Sequence, residues 1–229
     1  MACGRRKSPL DRLTGTTGPG ELLTVTADLT QPEEANRVFD EAVERFGAVT
    51  AVVHSVGVDR PVGWSRDGQL AVGADLVAGL VTSPALVLVE PVRRMRTTGG
   101  TVIVLSGGAA AKGTPGGALY GPAKAAVNKL MRSLWGELRA TGCLRTAVVA
   151  IQPGRVDTPM QRALVAASRT APAPFGLGSF SDLDAVRRPE AVAVAIHELL
   201  GRSPAKLNGE VPRLTANGWQ STRGVNVYG

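Results

Sequence analysis

The feature that most restricts the fold is a series of short apolar segments, each followed by a polar turn or a helical segment. Strands are predicted at residues 22–27, 48–53, 101–105 and 146–151, and the last three are almost entirely apolar. Such runs are typical of strands buried on both faces of a parallel sheet. Strands that alternate with helices predict a parallel sheet covered by helices on both faces. We therefore expect all four strands to lie parallel in one sheet, with 101–105 between 48–53 and 146–151.

The helical segments have recognisable ends. Thr30 to Glu33 form a capping box that opens a helix with a one-sided apolar stripe, and Gly47 ends it. A helical segment is predicted over 70–95, with kinks at Pro84 and Pro91 and a break at Gly99-Gly100. The remaining predicted elements are a long helix from Tyr120, an amphipathic helix over 189–200 and a final strand over 209–215.

Composition narrows the class of protein. A chain of 229 residues with 44% hydrophobic and 20% charged residues is typical of a globular domain. The formal charge of the chain is +7, and its arginines occur in short clusters without interleaved aromatic residues. This pattern argues against nucleic-acid binding, whereas an anionic ligand remains compatible with the charge. No apolar stretch looks long enough to span a membrane, and two distant cysteines, Cys3 and Cys143, favour reduced thiols and a cytoplasmic location. We expect no metal site.

One stretch carries residues suited to proton transfer. The strand 101–105 ends at Ser106, a glycine-rich loop follows, and a helix begins near Tyr120. Tyr120 and Lys124 are four residues apart and therefore share a helix face. An ammonium beside the phenol is expected to lower the tyrosine pKa, which would make it a usable acid or base, while Ser106 would hold a substrate oxygen. A Tyr-x-x-x-Lys pair by itself also occurs often by chance.

Polar or glycine-bearing segments follow four of the predicted strands. They are Asp28, His54–Gly57, Ser106 and Pro153–Thr158. Because ligands of open α/β sheets bind at the carboxyl ends of the strands, we expect these segments to converge on one site.

The ordered motifs resemble those of the short-chain dehydrogenase/reductase family over residues 22–212. The similarity rests on an apolar strand, Ser106, a glycine-rich loop, Tyr120-x-x-x-Lys124 and a later strand that ends in Pro-Gly-x-Val-x-Thr from Pro153 to Thr158. The resemblance implies a Rossmann-like, doubly wound parallel α/β sheet in a single domain over 1–229. It also implies catalytic roles for Ser106, Tyr120 and Lys124.

The resemblance further implies a nicotinamide cofactor. Arg5, without an acidic residue beside it, favours the 2′-phosphate of NADP(H). The implied cofactor-binding residues are Arg5, Asp28, Leu29, Ser55, Gly57, Tyr120, Lys124, Pro153, Gly154, Val156 and Thr158.

The sequence also departs from the family pattern. The family's serine lies about one residue nearer the tyrosine, at Gly107, so a one-residue loop insertion is needed to give Ser106 that role. His54 replaces an asparagine and is interpreted as a locally hydrogen-bonded imidazole, and the family's helix asparagine has no counterpart except a doubtful one at Asp75. The family's first strand and glycine-rich turn have no counterpart here, so we expect an N-terminally incomplete domain, another segment that fills the gap, or a protein that has left redox chemistry.

Residues 1–21 form an atypical N-terminus. Cys3–Arg6 resembles the end of the family's second strand, and Thr14–Gly20 is interpreted as a plain loop. We expect residues 1–21 to be displaced, or the sheet to be completed by another chain, because an open edge at its centre would aggregate.

Three functions remain open. The first is an NADP(H)-dependent reductase or dehydrogenase acting on a small carbonyl or alcohol substrate beneath a mobile flap over 159–188. The second is proton-transfer chemistry without a redox cofactor, such as isomerisation, dehydration or ring closure. The third is a non-catalytic subunit that pairs with a complete family member. A homodimer or homotetramer through the 120–140 helix is expected, with neither nucleic acid nor membrane as a partner.

Overall fold

The computed structural model describes residues 1–13, 20–57, 70–111, 118–170, 186–207 and 209–221. The strands are β1 (Ala2–Gly4), β2 (Thr24–Thr26), β3 (Ala51–His54), β4 (Gly100–Leu105), β5 (Thr146–Ile151), β6 (Arg213–Thr215) and β7 (Gly218–Gln220). The α-helices are α1 (Lys7–Asp11), α2 (Pro32–Phe46), α3 (Leu70–Val77), α4 (Ser83–Thr98), α5 (Tyr120–Ala140), α6 (Pro159–Thr170), α7 (Pro189–Leu200) and α8 (Pro204–Leu207). The Thr14–Gly20 loop falls almost wholly outside the described residues.

The centre of the fold is a parallel sheet of three strands in the order β3-β4-β5. This order confirms the prediction that the strand at 101–105 lies between the other two. The prediction of one sheet for all four strands is wrong, because β2 pairs in parallel with β1 and the two form a separate sheet. Among the described residues no strand joins the two sheets by hydrogen bonds.

Helices cover both faces of the central sheet, as the apolar strands predict. On one face, Val102 and Val104 pack with α4 and α5 through Leu88 and Met131. On the other, Ile103 packs with residues that include Leu199 of α7. All six residues of β5 are buried, which explains why the sequence shows no polar alternation there.

The second sheet is held to the first by a hydrophobic cluster. Helix α2 links β2 to β3, and its Val38 and Phe39 pack with Val25 of β2 and against Val52 of β3. Gly47 ends α2 with a φ of 79°, as predicted. The predicted capping box is wrong: the N-cap is Gln31, whose side chain makes no capping bond.

The segment from residue 70 to 98 is almost continuously helical. A π-helical turn at Ala78–Thr82 separates α3 from α4, Pro84 lies in the first turn of α4, and Pro91 lies inside it without ending it. Gly73–Thr98 is long and apolar enough to cross a membrane by length and composition, with a mean hydropathy of 1.5, so the expectation that no such stretch exists is wrong. The buried share of that window is 44%, and α4 packs against the sheet and α5 through residues that include Leu88 and Met95.

Helix α5 begins at Tyr120, as predicted, and packs its apolar stripe inside the chain. Val127, Met131, Leu134 and Leu138 are buried in the cluster shared with the sheet. The Trp135 ring lies beside Gly209 and Arg139. An oligomer through α5 stays a prediction that no contact in the structure tests.

The C-terminal elements differ from the prediction in detail. The predicted strand over 209–215 is shorter and forms a hairpin of β6 and β7, which joins the end of β5 through a parallel bridge between Gln152 and Arg213. The predicted flap over 159–188 is helical over α6, and residues 171–185 lie outside the described part of the chain.

Candidate active site

The predicted proton-transfer residues meet at the carboxyl end of β4. Nζ of Lys124 donates a hydrogen bond of 2.8 Å to the carbonyl oxygen of Leu105, the last residue of β4. The Tyr120 hydroxyl lies 4.0 Å from the position of a Cβ built on Gly107, two residues further along. The sheet and the first turn of α5 therefore position both side chains at one strand end.

Lys124 is a cation held out of water. Its residue is 7% exposed, and burial lowers the pKa of its ammonium from 10.5 to about 8. The Leu105 carbonyl supplies a hydrogen bond that partly offsets the loss of hydration.

Tyr120 does not have the lowered pKa that its neighbour predicts. Burial raises the pKa of the phenol above its ordinary value of 10. Nζ of Lys124 bonds to Leu105 and lies 5.8 Å from the centroid of the tyrosine ring. The expectation was wrong because burial of the phenol, rather than the charge of Lys124, sets the direction of the shift.

Ser106 and Gly107, the two candidates for the substrate-holding role, differ in their surroundings. Ser106 is 6% exposed, and its Oγ has no hydrogen-bond partner among the described residues. Gly107 is extended, and it is the residue whose added Cβ would face the Tyr120 hydroxyl. The assignment of the substrate-holding role to Ser106 stays a prediction, and the geometry makes Gly107 the position to test.

His54 is a buried, neutral imidazole. Its Nε2 lies 2.9 Å from Oγ of Ser83 on α4. Burial, and to a lesser extent the charge of Lys124, lower the pKa of His54 from 6.5 to about 4. The structure therefore agrees with the interpretation of a locally hydrogen-bonded imidazole.

The cofactor residues predicted near the N-terminus follow the two strands of the separate β1–β2 sheet. The Asp28 carboxylate accepts hydrogen bonds from the amide and the hydroxyl of Thr30, and these bonds together with the nearby charge of Arg5 lower its pKa. Leu29 is buried in the cluster around α2. Arg5 is exposed at the end of β1. Asp28 thus shapes the turn that leads into α2.

The start of α6 reaches the end of β3. A Cβ built on Gly57 would lie 2.7 Å from Cε of Met160, so this side chain covers the backbone of the turn after β3. Ser55, in the same turn, is exposed. Oγ1 of Thr158 accepts a hydrogen bond from the amide of Gln161 and so caps α6.

The turn after β5 is held by Arg187. Val156 forms a parallel bridge with Arg187, and a Cβ built on Gly154 would lie 2.5 Å from Nη1 of the same arginine. Pro153 is buried next to this turn.

Sequence reasoning missed two buried polar residues. Asn128 is 2% exposed, its Oδ1 has no partner among the described residues, and it lies one turn beyond Lys124. The spacing of Tyr120, Lys124 and Asn128 at four residues each was the available signal. Ser83, the partner of His54, lies 29 residues away along the chain, and no local pattern could have revealed it.

The chain is similar to known dehydrogenases and reductases. The chain is 33% identical over 192 residues to a 1-deoxy-11-beta-hydroxypentalenate dehydrogenase of Streptomyces exfoliatus. The match covers 79% of this chain and 62% of that protein. It is 30% identical over 189 residues to carbonyl reductase family member 4 of Danio rerio, covering 80% of this chain and 72% of that protein. The crystal structure of the KRED1-Pglu enzyme is similar with a TM-score of 0.78 at 29% identity, and the match covers 90% of this chain and 85% of that one.

The matches cover a smaller share of the relatives than of this chain. The chain spans 55% to 64% of the length of three of its curated relatives. The sequence profile described as short chain dehydrogenase matches residues 1–169, well over half of the chain. The chain therefore belongs to the short-chain dehydrogenase family.

Proposed function

We propose that this chain is an oxidoreductase that uses NADP(H) to interconvert a small carbonyl compound and its alcohol. The observation that carries the proposal is the convergence of the Tyr120 hydroxyl and the Lys124 ammonium on the carboxyl end of β4, where the next residue, Ser106, has an unpartnered hydroxyl. Relatives named as dehydrogenases and a carbonyl reductase support the reaction class.

Tyr120 is the proposed proton donor to the substrate oxygen. Its raised pKa keeps the phenol protonated near neutral pH, which suits donation in the direction of carbonyl reduction. The Lys124 ammonium is held at the same strand end by the Leu105 carbonyl and is proposed as a further hydrogen-bond donor to the bound ligand. The Ser106 hydroxyl is the proposed donor that orients the carbonyl oxygen, because burial leaves it in need of a partner.

The described residues provide polar groups for some parts of a nicotinamide cofactor but no loop for its pyrophosphate. At the carboxyl end of β4, the unpartnered Ser106 Oγ and the buried ammonium of Lys124 provide polar atoms for a ligand. The exposed Arg5 at the end of β1 provides a cation suited to a 2′-phosphate. The described residues supply no glycine-rich turn leading into a helix N-terminus for the pyrophosphate. When bound, the cofactor would supply the hydride.

Nucleotide binding to the purified chain tests the proposal before any substrate is known. Addition of the chain should change the fluorescence of NADPH in a saturable way. Arg5→Ala should weaken the binding of NADPH while leaving that of NADH unchanged, because it removes only the cation near the 2′-phosphate. Absence of saturable binding of either nucleotide would contradict the redox proposal.

A second candidate is proton transfer without a redox cofactor. It is favoured by one observation: the described residues provide Tyr120 and Lys124 but no cradle for a pyrophosphate. An isomerisation or dehydration would then proceed with no nucleotide consumed, whereas the redox proposal requires one equivalent of NADPH for each carbonyl reduced.

A further inference from the structure

The first turn of α6 extends across the carboxyl end of the central sheet. The chain reaches α6 from the end of β5, and Cε of Met160 lies against Gly57, in the turn that follows β3. Because β4 lies between β3 and β5, these two strands are about 10 Å apart at the usual strand spacing. The segment from β5 to Met160 therefore passes over the end of β4, where Tyr120 and Lys124 meet.

This turn is held in place from the β5 side. The amide of Gln161 donates a hydrogen bond of 3.2 Å to Oγ1 of Thr158, and the amide of Arg162 donates to the Thr158 carbonyl. The Arg162 guanidinium makes two hydrogen bonds, of 2.7 and 2.9 Å, to the Asp157 carboxylate. The amide of Asp157 in turn donates to the carbonyl of Arg187. The backbone of Gln161 is thus anchored at the edge of the sheet that carries the candidate site.

The side chain of Gln161 has a buried donor without a partner. In the described part of the chain, three buried side-chain polar atoms lack a hydrogen-bond partner, and they are Ser106 Oγ, Asn128 Oδ1 and Gln161 Nε2. A primary amide carries two N–H donors on its nitrogen, and burial of a donor without a partner is unfavourable. A ligand that supplies an acceptor oxygen would remove this penalty.

We propose that Gln161 determines substrate specificity by donating a hydrogen bond from Nε2 to a second oxygen of the substrate, distinct from the carbonyl that is reduced. This inference rests on the proposed function, in which Ser106 orients the reacting oxygen from the end of β4. Gln161 would reach the same ligand from α6, on the other side of that strand end. The substrate class is therefore an aldehyde or ketone that also carries an ester or amide carbonyl, since a neutral N–H donor is matched by a neutral acceptor.

Matched substrates and one conservative variant test this role. The substrates are 2-, 3- and 4-oxo esters, and each is compared with the ether analogue in which CH₂ replaces the ester carbonyl. Gln161→Met keeps the length of the side chain and its helix propensity but removes both donors. The ratio of kcat/KM for ester over ether should fall about threefold to tenfold in this variant, the effect of one lost neutral hydrogen bond. Gln220→Met, at an exposed position of β7, is the control and should leave the ratio unchanged.

Two further readouts do not depend on turnover. Calorimetry with the hydroxy ester, with and without NADP⁺, should show weaker binding to Gln161→Met, while the hydroxy ether should bind equally to both chains. Urea unfolding of the ligand-free chain should show that Gln161→Met is at least as stable as the wild type, because an apolar group replaces an unpartnered donor.

Four results would overturn the proposal. An equal loss for ester and ether would exclude recognition of the second oxygen, and so would failure of the hydroxy ester to bind the wild type. Weaker NADPH binding in Gln161→Met with an unchanged ester-to-ether ratio would assign the donor to the cofactor. A less stable ligand-free variant would assign it to the fold. Absence of reduction of any carbonyl compound would contradict the proposed function alone, because calorimetry with the hydroxy ester still tests Gln161.

Discussion

Replacement of Lys124 by methionine should change how the stability of the protein depends on pH. Burial lowers the pKa of this ammonium from 10.5 to about 8, so between these two values the unfolded chain binds more protons at Lys124 than the folded chain does. Folding stability therefore rises with pH through this window. Between pH 7 and pH 9 the Lys124 contribution to the free energy of unfolding rises by about 1 kcal/mol. For a domain of this size, that corresponds to roughly 2–4 °C in Tm.

Urea unfolding at pH 7 and pH 9 measures this contribution. The increase with pH seen in the wild type should be about 1 kcal/mol smaller in Lys124→Met, which has nothing to titrate there. Lys129→Met is the matched control, because Lys129 is exposed on the same helix, and its pH dependence should follow that of the wild type. Parallel pH dependences for the wild type and Lys124→Met would refute the buried ammonium.

The remaining predictions concern His54 and three glycines. Because burial holds the pKa of His54 at about 4, stability should fall as the pH drops from 6.5 toward 4, by about 2 kcal/mol between pH 7 and pH 5 from this residue. His54→Asn should lose that slope in urea unfolding, and an unchanged slope would contradict a neutral imidazole. Gly100→Ala should lower the free energy of unfolding by ~2 kcal/mol or more, since φ is +156° and the new Cβ would lie 2.6 Å from a backbone oxygen. Gly136→Ala should raise the free energy of unfolding by ~0.5–1 kcal/mol, because this position on α5 has open space for the new methyl group. Thermal unfolding of the two variants measures both changes, and a stable Gly100→Ala would show that this backbone relaxes. Gly107→Ser should place a hydroxyl beside the phenol and raise turnover while Gly107→Ala does not, and equal turnover in both would leave Ser106 as the better assignment.

The sequence predicted the elements whose pattern is local. Strand β5 has the predicted bounds and β4 differs by one residue, because unbroken apolar runs between glycine and polar residues have few alternatives. Helix α5 begins at Tyr120 as predicted. Tyr120 and Lys124 lie at one strand end because their four-residue spacing puts them on one face of the helix that connects two parallel strands.

The remaining features depend on contacts distant in the chain. β2 has the predicted strand pattern, but which sheet it joins depends on its neighbours rather than on its own residues. The raised pKa of Tyr120 depends on its burial, which distant parts of the chain supply. Thr30 was expected to cap α2, but its amide and hydroxyl both donate hydrogen bonds to the Asp28 carboxylate. A carboxylate two residues earlier in the chain thus competes with the capping box for these groups.

The turnover of Tyr120→Phe tests the central claim most directly. The wild-type chain and the variant are incubated with NADPH and a panel of aldehydes and ketones, and the loss of NADPH absorbance is followed. The substitution removes only the phenolic oxygen, so NADPH binding and urea stability should stay close to those of the wild type. Turnover should fall by ~10²-fold or more, the scale of a lost general acid. Turnover equal to that of the wild type would contradict the role of Tyr120 as the proton donor.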